Sequence, residues 1–177
     1  YNCSGIALGA AYRLPLKAIG APHLGRLDFS LQLSYLERAD FKSLPSVATL
    51  EQAGYYGVDV GTPYSKTRFS QRTTWSFSDF TFGYNWRFIG STTEQPGGTV
   101  YKPEFSKIKA YSYFDLNGSW QATKNLKLAL TINNAFDKAP PFIGTGIAPG
   151  ASNYGNTMPG VYDVIGRRFT FTAQATF

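Results

Sequence analysis

The stretch that decides the fold is the last one, Tyr162 to Phe177, YDVIGRRFTFTAQATF. Counting back by twos from Phe177 selects Ala175, Ala173, Phe171, Phe169, Arg167 and Ile165; the other set is Thr176, Gln174, Thr172, Thr170, Arg168 and Gly166. One set is greasy and the other polar, so the segment reads as an amphipathic β-strand of period two. Such a strand fits a soluble sandwich or a membrane barrel. The residues from Arg167 to Phe177 would rise roughly 25 Å, about the height of the apolar band of a transmembrane barrel.

Upstream the same period recurs. Gly5 to Leu14 alternates softly, with Ile6, Leu8, Ala10, Tyr12 and Leu14 as its apolar set, and Leu27 to Leu36 sharply, with Leu27, Phe29, Leu31, Leu33 and Tyr35 against Asp28, Ser30, Gln32 and Ser34. Thr67 to Phe77 turns apolar toward its end. Phe80 to Ser91 carries the strongest signal, with Phe80, Phe82, Tyr84, Trp86 and Phe88 on one side. So many large rings would overfill a small soluble core, whereas lipid demands no jigsaw fit. Tyr111 to Ala122 and Leu126 to Phe136 complete, with the terminal strand, a set of about seven. The expected fold is therefore all-β, an antiparallel transmembrane barrel segment.

Connections sharpen this reading. Ser78-Asp79 and the turn around Lys124 are short; Phe41 to Ser65, Thr92 to Ala110 and Asp137 to Val161 are long. Strict alternation of short and long is expected of transmembrane barrels, whose periplasmic turns are short and extracellular loops long. The terminal strand then runs toward the periplasm. Pro15 to Arg26 is the awkward piece, longer than a periplasmic turn should be.

Composition excludes several classes. The chain has 177 residues, a net charge of +6 and 16% aromatic residues, a high aromatic share that agrees with a lipid-facing band. Its basic residues are scattered singly, so no nucleic-acid partner is expected. Nowhere are there eighteen consecutive apolar residues, which removes a transmembrane helix but not a membrane strand. The single cysteine, Cys3, forms no internal disulfide framework. With Tyr1 first and no basic-then-apolar leader, a processed chain or a fragment is expected. The single histidine, His23, has no Ser or Cys motif beside it, and one His with one Cys gives no metal-site spacing, so neither an enzyme nor a metal or other cofactor is expected. Gly144 to Gly150, GTGIAPG, lacks the helix a phosphate loop requires. Asn2-Cys3-Ser4 fits a glycosylation triplet, of little meaning in a bacterial outer membrane.

Asp115 to Pro141, DLNGSWQATKNLKLALTINNAFDKAPP, and the terminal YDVIGRRFTFTAQATF resemble the final strands of TonB-dependent outer-membrane receptors. Asn133, Asn134, Phe136, Asp137, Pro140, Tyr162, Asp163, Gly166, Arg167, Phe169 and Phe177 stand where the family motif wants them; Ala135 and Trp120 replace the usual leucine and tyrosine. The close match covers the last third of the chain. The resemblance implies that residues 1–177 are the C-terminal part of a 22-stranded barrel, with the N-terminal plug and TonB box lying outside this sequence. It further implies active uptake of a scarce nutrient (a ferric siderophore, cobalamin or an oligosaccharide) across the outer membrane of a Gram-negative bacterium. The TonB-ExbB-ExbD complex, the barrel insertion machinery, and lipopolysaccharide with outer-membrane lipid would be the partners. A passive porin and a soluble carbohydrate-binding β-sandwich are the alternatives.

Three residue groups are candidates for function. Arg68, Arg72, Arg87, Asp115, Lys127 and Arg168, with Asp28, fall on polar strand faces and would line the lumen, as a hydrated ion-paired wall or as substrate contacts. Tyr55, Tyr56, Tyr64, Tyr101 and Tyr154 fall in the long loops, where rings stack on flat or sugar-like ligands or belong to an interfacial belt. Phe169, Phe171 and Phe177 would form the assembly signal that the resemblance implies.

Overall fold

The computed structural model describes residues 1–57, 59–97, 106–143 and 157–176. In chain order the strands are β1 (Asn2–Pro15), β2 (Arg26–Phe41), β3 (Leu50–Glu51), β4 (Tyr55–Tyr56), β5 (Thr67–Phe77), β6 (Phe80–Ile89), β7 (Thr92–Glu94), β8 (Lys107–Ile108), β9 (Tyr111–Thr123), β10 (Leu126–Asn133) and β11 (Arg168–Ala175). The seven long ones form one antiparallel meander, β1-β2-β5-β6-β9-β10-β11. The expected all-β antiparallel sheet is thus the fold. Among the described residues it stays open, with β1 and β11 at its edges.

Register carries the alternation across the whole sheet. Phe171 sits opposite Leu130, Leu130 opposite Gly118, Gly118 opposite Phe82, Phe82 opposite Trp75, and Trp75 opposite Leu27. Cross-strand partners share a face, so Phe82, Trp86, Leu116, Trp120, Leu128, Leu130, Phe169 and Phe171 all lie on one side. Rings pack along it: Phe69 stacks on Phe88 at 4.8 Å, Trp86 on Phe114 at 5.7 Å and Phe80 on Trp120 at 6.1 Å. Nothing in the described chain covers them. Phe82 is 47% exposed, Trp120 44% and Phe171 69%, an apolar expanse far beyond the scattered exposure of soluble monomers.

The buried core lies instead at one end of the sheet. Tyr56, Ile108, Tyr113, Ile143, Met158 and Tyr162 form it, with Ile89, Tyr111 and Val161 packed around. Tyr111, Tyr113 and Ile89 belong to the polar-face alternation of β9 and β6, so the long connections fold down onto that face. They carry a small second sheet, β4-β7-β8.

Several boundaries differ from the sequence reading. β1 starts at Asn2 rather than Gly5, and β2 runs on to Phe41, where Asp40 and Phe41 pair with Glu51 and Leu50. The stretch from Phe41 to Ser65 is therefore not all loop. β10 stops at Asn133 rather than Phe136, because Asn134 and Asp137 take left-handed φ of 49° and 52°. β11 begins at Arg168, not at Tyr162: Tyr162 is drawn into the core, the Asp163 carboxylate accepts the Ile165 N–H at 3.1 Å, and Gly166 takes φ +81°. Pro15 to Arg26 is compact despite its length. Two short 3-10 turns (Leu16–Ile19 and Pro22–Leu24) bury Leu16, and the Trp75 indole N–H donates to the Leu24 carbonyl at 2.8 Å.

Candidate functional site

At the long-connection end, the polar face holds a chain of alternating charges. The Arg87 guanidinium donates to both oxygens of Asp115, at 2.8 and 3.0 Å, and comes within 3.9 Å of Asp163. Asp163 in turn accepts from Arg168 at 3.2 and 3.3 Å. Strands place these groups: Arg87 from β6 and Asp115 from β9 face the same way because Asn85 pairs with Asp115, and Arg87 with Tyr113. Arg87 also lies over the Tyr113 ring, 5.2 Å from its centroid. The Tyr113 hydroxyl accepts the Asp163 N–H at 3.3 Å.

The network extends into the β10–β11 connection. Asp115 also accepts the Asn134 N–H at 2.9 Å and the Asn85 amide at 3.3 Å. The fully buried Asn134 side chain closes a ring with Lys138, accepting its N–H at 2.8 Å and donating to its carbonyl at 3.0 Å. One step on, Asp137 accepts the Arg167 N–H at 2.9 Å. A Cβ on Gly166 would lie 2.9 Å from that same Asp137 oxygen, so glycine is required by both space and φ. These carboxylates accept from donors on several elements; the knot is a fastening between β9, β10 and the segment before β11. Beside it, burial pushes the Tyr162 hydroxyl above its ordinary pKa, and that hydroxyl has no hydrogen-bond partner among the described residues.

Beyond the knot the polar face is less committed. Among the described residues Arg68 donates only to the Pro63 carbonyl, at 3.2 Å. Arg72 faces Asn85 and Ser30, and Lys127 lies between Gln121 and Gln174, neither in an ion pair among the described residues. Toward the other end Asp28 bridges Arg13 at 2.6 Å and Arg26 at 2.9 Å. Arg68 and Tyr64, with Ser34 and Thr62, line a cavity of about 540 Å³ between β1–β2 and the 62–65 segment.

The candidate aromatics separate. Tyr64 is in that cavity with Arg68, while Tyr55 lines a different one, and Tyr56 is completely buried in the core, where no ligand reaches it. Tyr101, Tyr154 and Phe177 lie outside the described residues. Phe169 and Phe171 stand exposed on β11. Sequence reasoning singled out Asn134, Asp137, Asp163 and Gly166 only as motif positions. Their signal was available in the residue types, since Asn and Asp tolerate left-handed turns and hydrogen-bond nearby backbone, yet their partners are distant in sequence.

No family model matches the sequence, and no curated protein matches it. Solved structures do. The copper transporter OprC matches over 98% of this chain and 23% of its own, at 21% identity and a TM-score of 0.55. A ferric enterobactin receptor, PfeA from Pseudomonas aeruginosa, matches over 99% of this chain and 22% of its own, at 20% identity and a TM-score of 0.60. The chain thus spans less than a quarter of the length of either. Both are TonB-dependent receptors, and the sheet has the fold of a portion of their barrels.

Proposed function

We propose that residues 1–177 are part of the barrel of a TonB-dependent outer-membrane receptor that imports a scarce nutrient. The observation that carries this reading is the seven-stranded meander whose one face is an uncovered band of aromatic and aliphatic side chains. In water such a face would drive association; in a bilayer it is the surface a barrel presents to lipid, and the ladder satisfies the backbone. The opposite face, with Arg68, Arg72, Arg87, Asp115, Lys127 and Arg168, then lines the lumen. The connections folded down at the long-loop end narrow that lumen, which supports a gated receptor over an open porin. A soluble sandwich would need a second sheet on the apolar face, and none of the described residues supplies one.

In this reading the plug, the TonB box and the remaining strands belong to the rest of the full-length protein, and TonB-ExbB-ExbD supplies the energy through them. Both solved neighbours carry names that refer to metals, one copper and one a ferric siderophore, which favours a metal chelate over cobalamin or an oligosaccharide as cargo. Tyr64 and Arg68 beside their cavity are the contacts we assign to it: a ring for a flat ligand and a cation for an anionic one.

The test is uptake of radiolabelled ferric siderophores by cells carrying the full-length gene, with and without a functional TonB. TonB-dependent accumulation is expected. Accumulation that persists without TonB would make the protein a passive channel, and recovery of the protein in the soluble fraction would remove the membrane reading.

A further inference from the structure

Among the described residues Arg72 is a cation without a counter-charge, and its neighbours are in no position to supply one. It stands on the polar face of β5 with Ser30 on one side and Asn85 on the other. Asn85 is already engaged, its carbonyl oxygen accepting from the Ser70 hydroxyl at 2.8 Å and its amide donating to Asp115 at 3.3 Å. Asp28 presents one oxygen to Arg13 and the other to Arg26. Arg72, Arg13 and Asp28, with Ala11, Ser30 and Thr74, line a cavity of about 420 Å³. All six lie on the polar alternation of β1, β2 and β5, so this cavity opens to the same side as the one that holds Tyr64 and Arg68, nearer the short turns. We propose that it is a second station for anionic cargo, in which Arg72 and Arg13 hold a carboxylate-bearing metal chelate on its way down the lumen from Arg68.

The inference rests on the uptake reading above and deepens it by naming the chemistry of the cargo. Arg68 and Arg72 share a face of β5 four residues apart, a separation of roughly 13 Å along the strand, and Arg13 lies a step further toward the short turns. Beside this column the polar side of β1 carries only Gly5, Ala7, Gly9 and Ala11. At Gly9 an added Cβ would meet nothing within 4 Å, so no close approach accounts for the missing side chain. The two cavities are thus joined by a lane clear of bulk and edged with cations. A forked guanidinium matches a carboxylate in both charge and geometry. The rings that border the lower cavity, Tyr12 and Phe29, belong to the opposite alternation, so this station selects charge, whereas the upper one adds the Tyr64 ring for flatness.

Citrate is the probe, as a compact polycarboxylate, and triethyl citrate, its uncharged ester, is the comparison. Purified full-length protein in neutral detergent is equilibrated with each, and bound molecules per barrel are counted by equilibrium dialysis. Two citrates are expected in the wild type, one in Arg13→Gln/Arg72→Gln, and one in Arg68→Gln. Each lower-station substitution alone should weaken the lower site about fivefold. Triethyl citrate should occupy neither station, and Lys17→Gln, in the Leu16–Ile19 turn, should change nothing. Two citrates retained by the double variant overturn the station, as does a single wild-type citrate that Arg68→Gln removes. Bilayer conductance without TonB, gained by the double variant alone, also overturns it, because the arginines would then be holding the plug rather than cargo. Heat-modifiability on gels and TonB-dependent uptake separate the two claims. An assembled, TonB-dependent receptor without the second citrate sinks only this station, whereas a protein that forms no barrel sinks the uptake reading and the station with it.

Discussion

The two ends of the sheet are built on different principles. At the short-turn end the strands reverse through Ser78–Asp79 and Lys124–Asn125, and the Asn125 amide ties the end of β11 by donating to the Thr176 carbonyl at 2.8 Å. Hydrogen bonds between neighbouring turns and strand ends fasten this end. At the other end the chain makes long excursions, returns onto the polar face, and builds the buried core together with the Asp115–Arg87–Asp163–Arg168 chain. Between the ends, the sheet's apolar face packs against nothing in the described chain. Tertiary fastening is thus concentrated at the long-loop end, while the middle relies on its ladder and on lipid.

Reversing the polarity of the middle should break this arrangement most severely. Leu130 and Thr131 are neighbours on β10 that point to opposite faces. An arginine at a midplane, lipid-facing position of a barrel costs about 2–4 kcal/mol, so Leu130→Arg should strongly reduce heat-modifiable barrel in membranes. Thr131→Arg, which would point into a hydrated lumen, should assemble near wild-type level. Equal yields from both would mean that the face carrying Phe82, Trp120 and Phe171 does not meet lipid.

Next comes the charge chain. Asp115→Ala would strip partners from Arg87, Asn85 and the Asn134 N–H together. Breaking a buried pair costs about 3–5 kcal/mol; with the Arg87 side chain 38% exposed, solvent returns part of that, and about 2 kcal/mol is expected. The midpoint temperature for loss of the heat-modifiable form should fall. Arg72→Ala, with no ion pair among the described residues to lose, is the comparison and should shift it far less.

The strands were legible because their information is local. Period-two alternation predicts Thr67 to Phe77 to the residue, and the start of β6, β9 and β10, since each strand needs only its own neighbours to be recognised. The knot was legible as a pattern and not as an arrangement. Asp115 meets Asn134, and Asp137 meets Arg167, across long sequence separations that no periodicity encodes. The terminal strand failed at its start for the same reason. Tyr162 to Arg167 continues the alternation on paper, but burial of Tyr162 and the turn at Gly166 belong to the loop core. Tyr56 looked like a loop aromatic open to ligand because nothing local announced that Ile143, Met158 and Tyr162 would cover it.

A milder perturbation of the loop end tests whether the turn geometry itself matters. Gly166→Ala would place a methyl against Asp137 and hold a non-glycine residue at φ +81°. Left-handed backbone costs an ordinary residue roughly 1–2 kcal/mol, so a loss of about 1.5 kcal/mol is expected, again read as a lower melting midpoint. Gly160→Ala is the contrast. Its Cβ would meet nothing within 4 Å and its φ is not left-handed, so a neutral or slightly favourable outcome is expected.

The smallest effect should come from the short-turn end, and its sign is the informative part. Ser78 occupies the β5–β6 turn with φ 48°, a conformation that glycine adopts without steric penalty and serine does not. Ser78→Gly relieves that strain but gives the unfolded chain more freedom to lose, so the two terms offset and leave a net gain of about 0.5 kcal/mol. Among the described residues the hydroxyl has no hydrogen-bond partner to hold the balance the other way. Because the turn lies at the opposite end of the sheet from the loop-end knot, with its Asp79 carbonyl accepting the Gln121 N–H at 2.9 Å, the gain should appear whether or not the knot is intact, and Ser78→Gly should add independently to Asp115→Ala. If the double variant instead deviates from additivity by more than about 0.5 kcal/mol, the two ends are coupled through the strands, and the sheet unfolds as one tightly linked body rather than as a ladder pinned at one end.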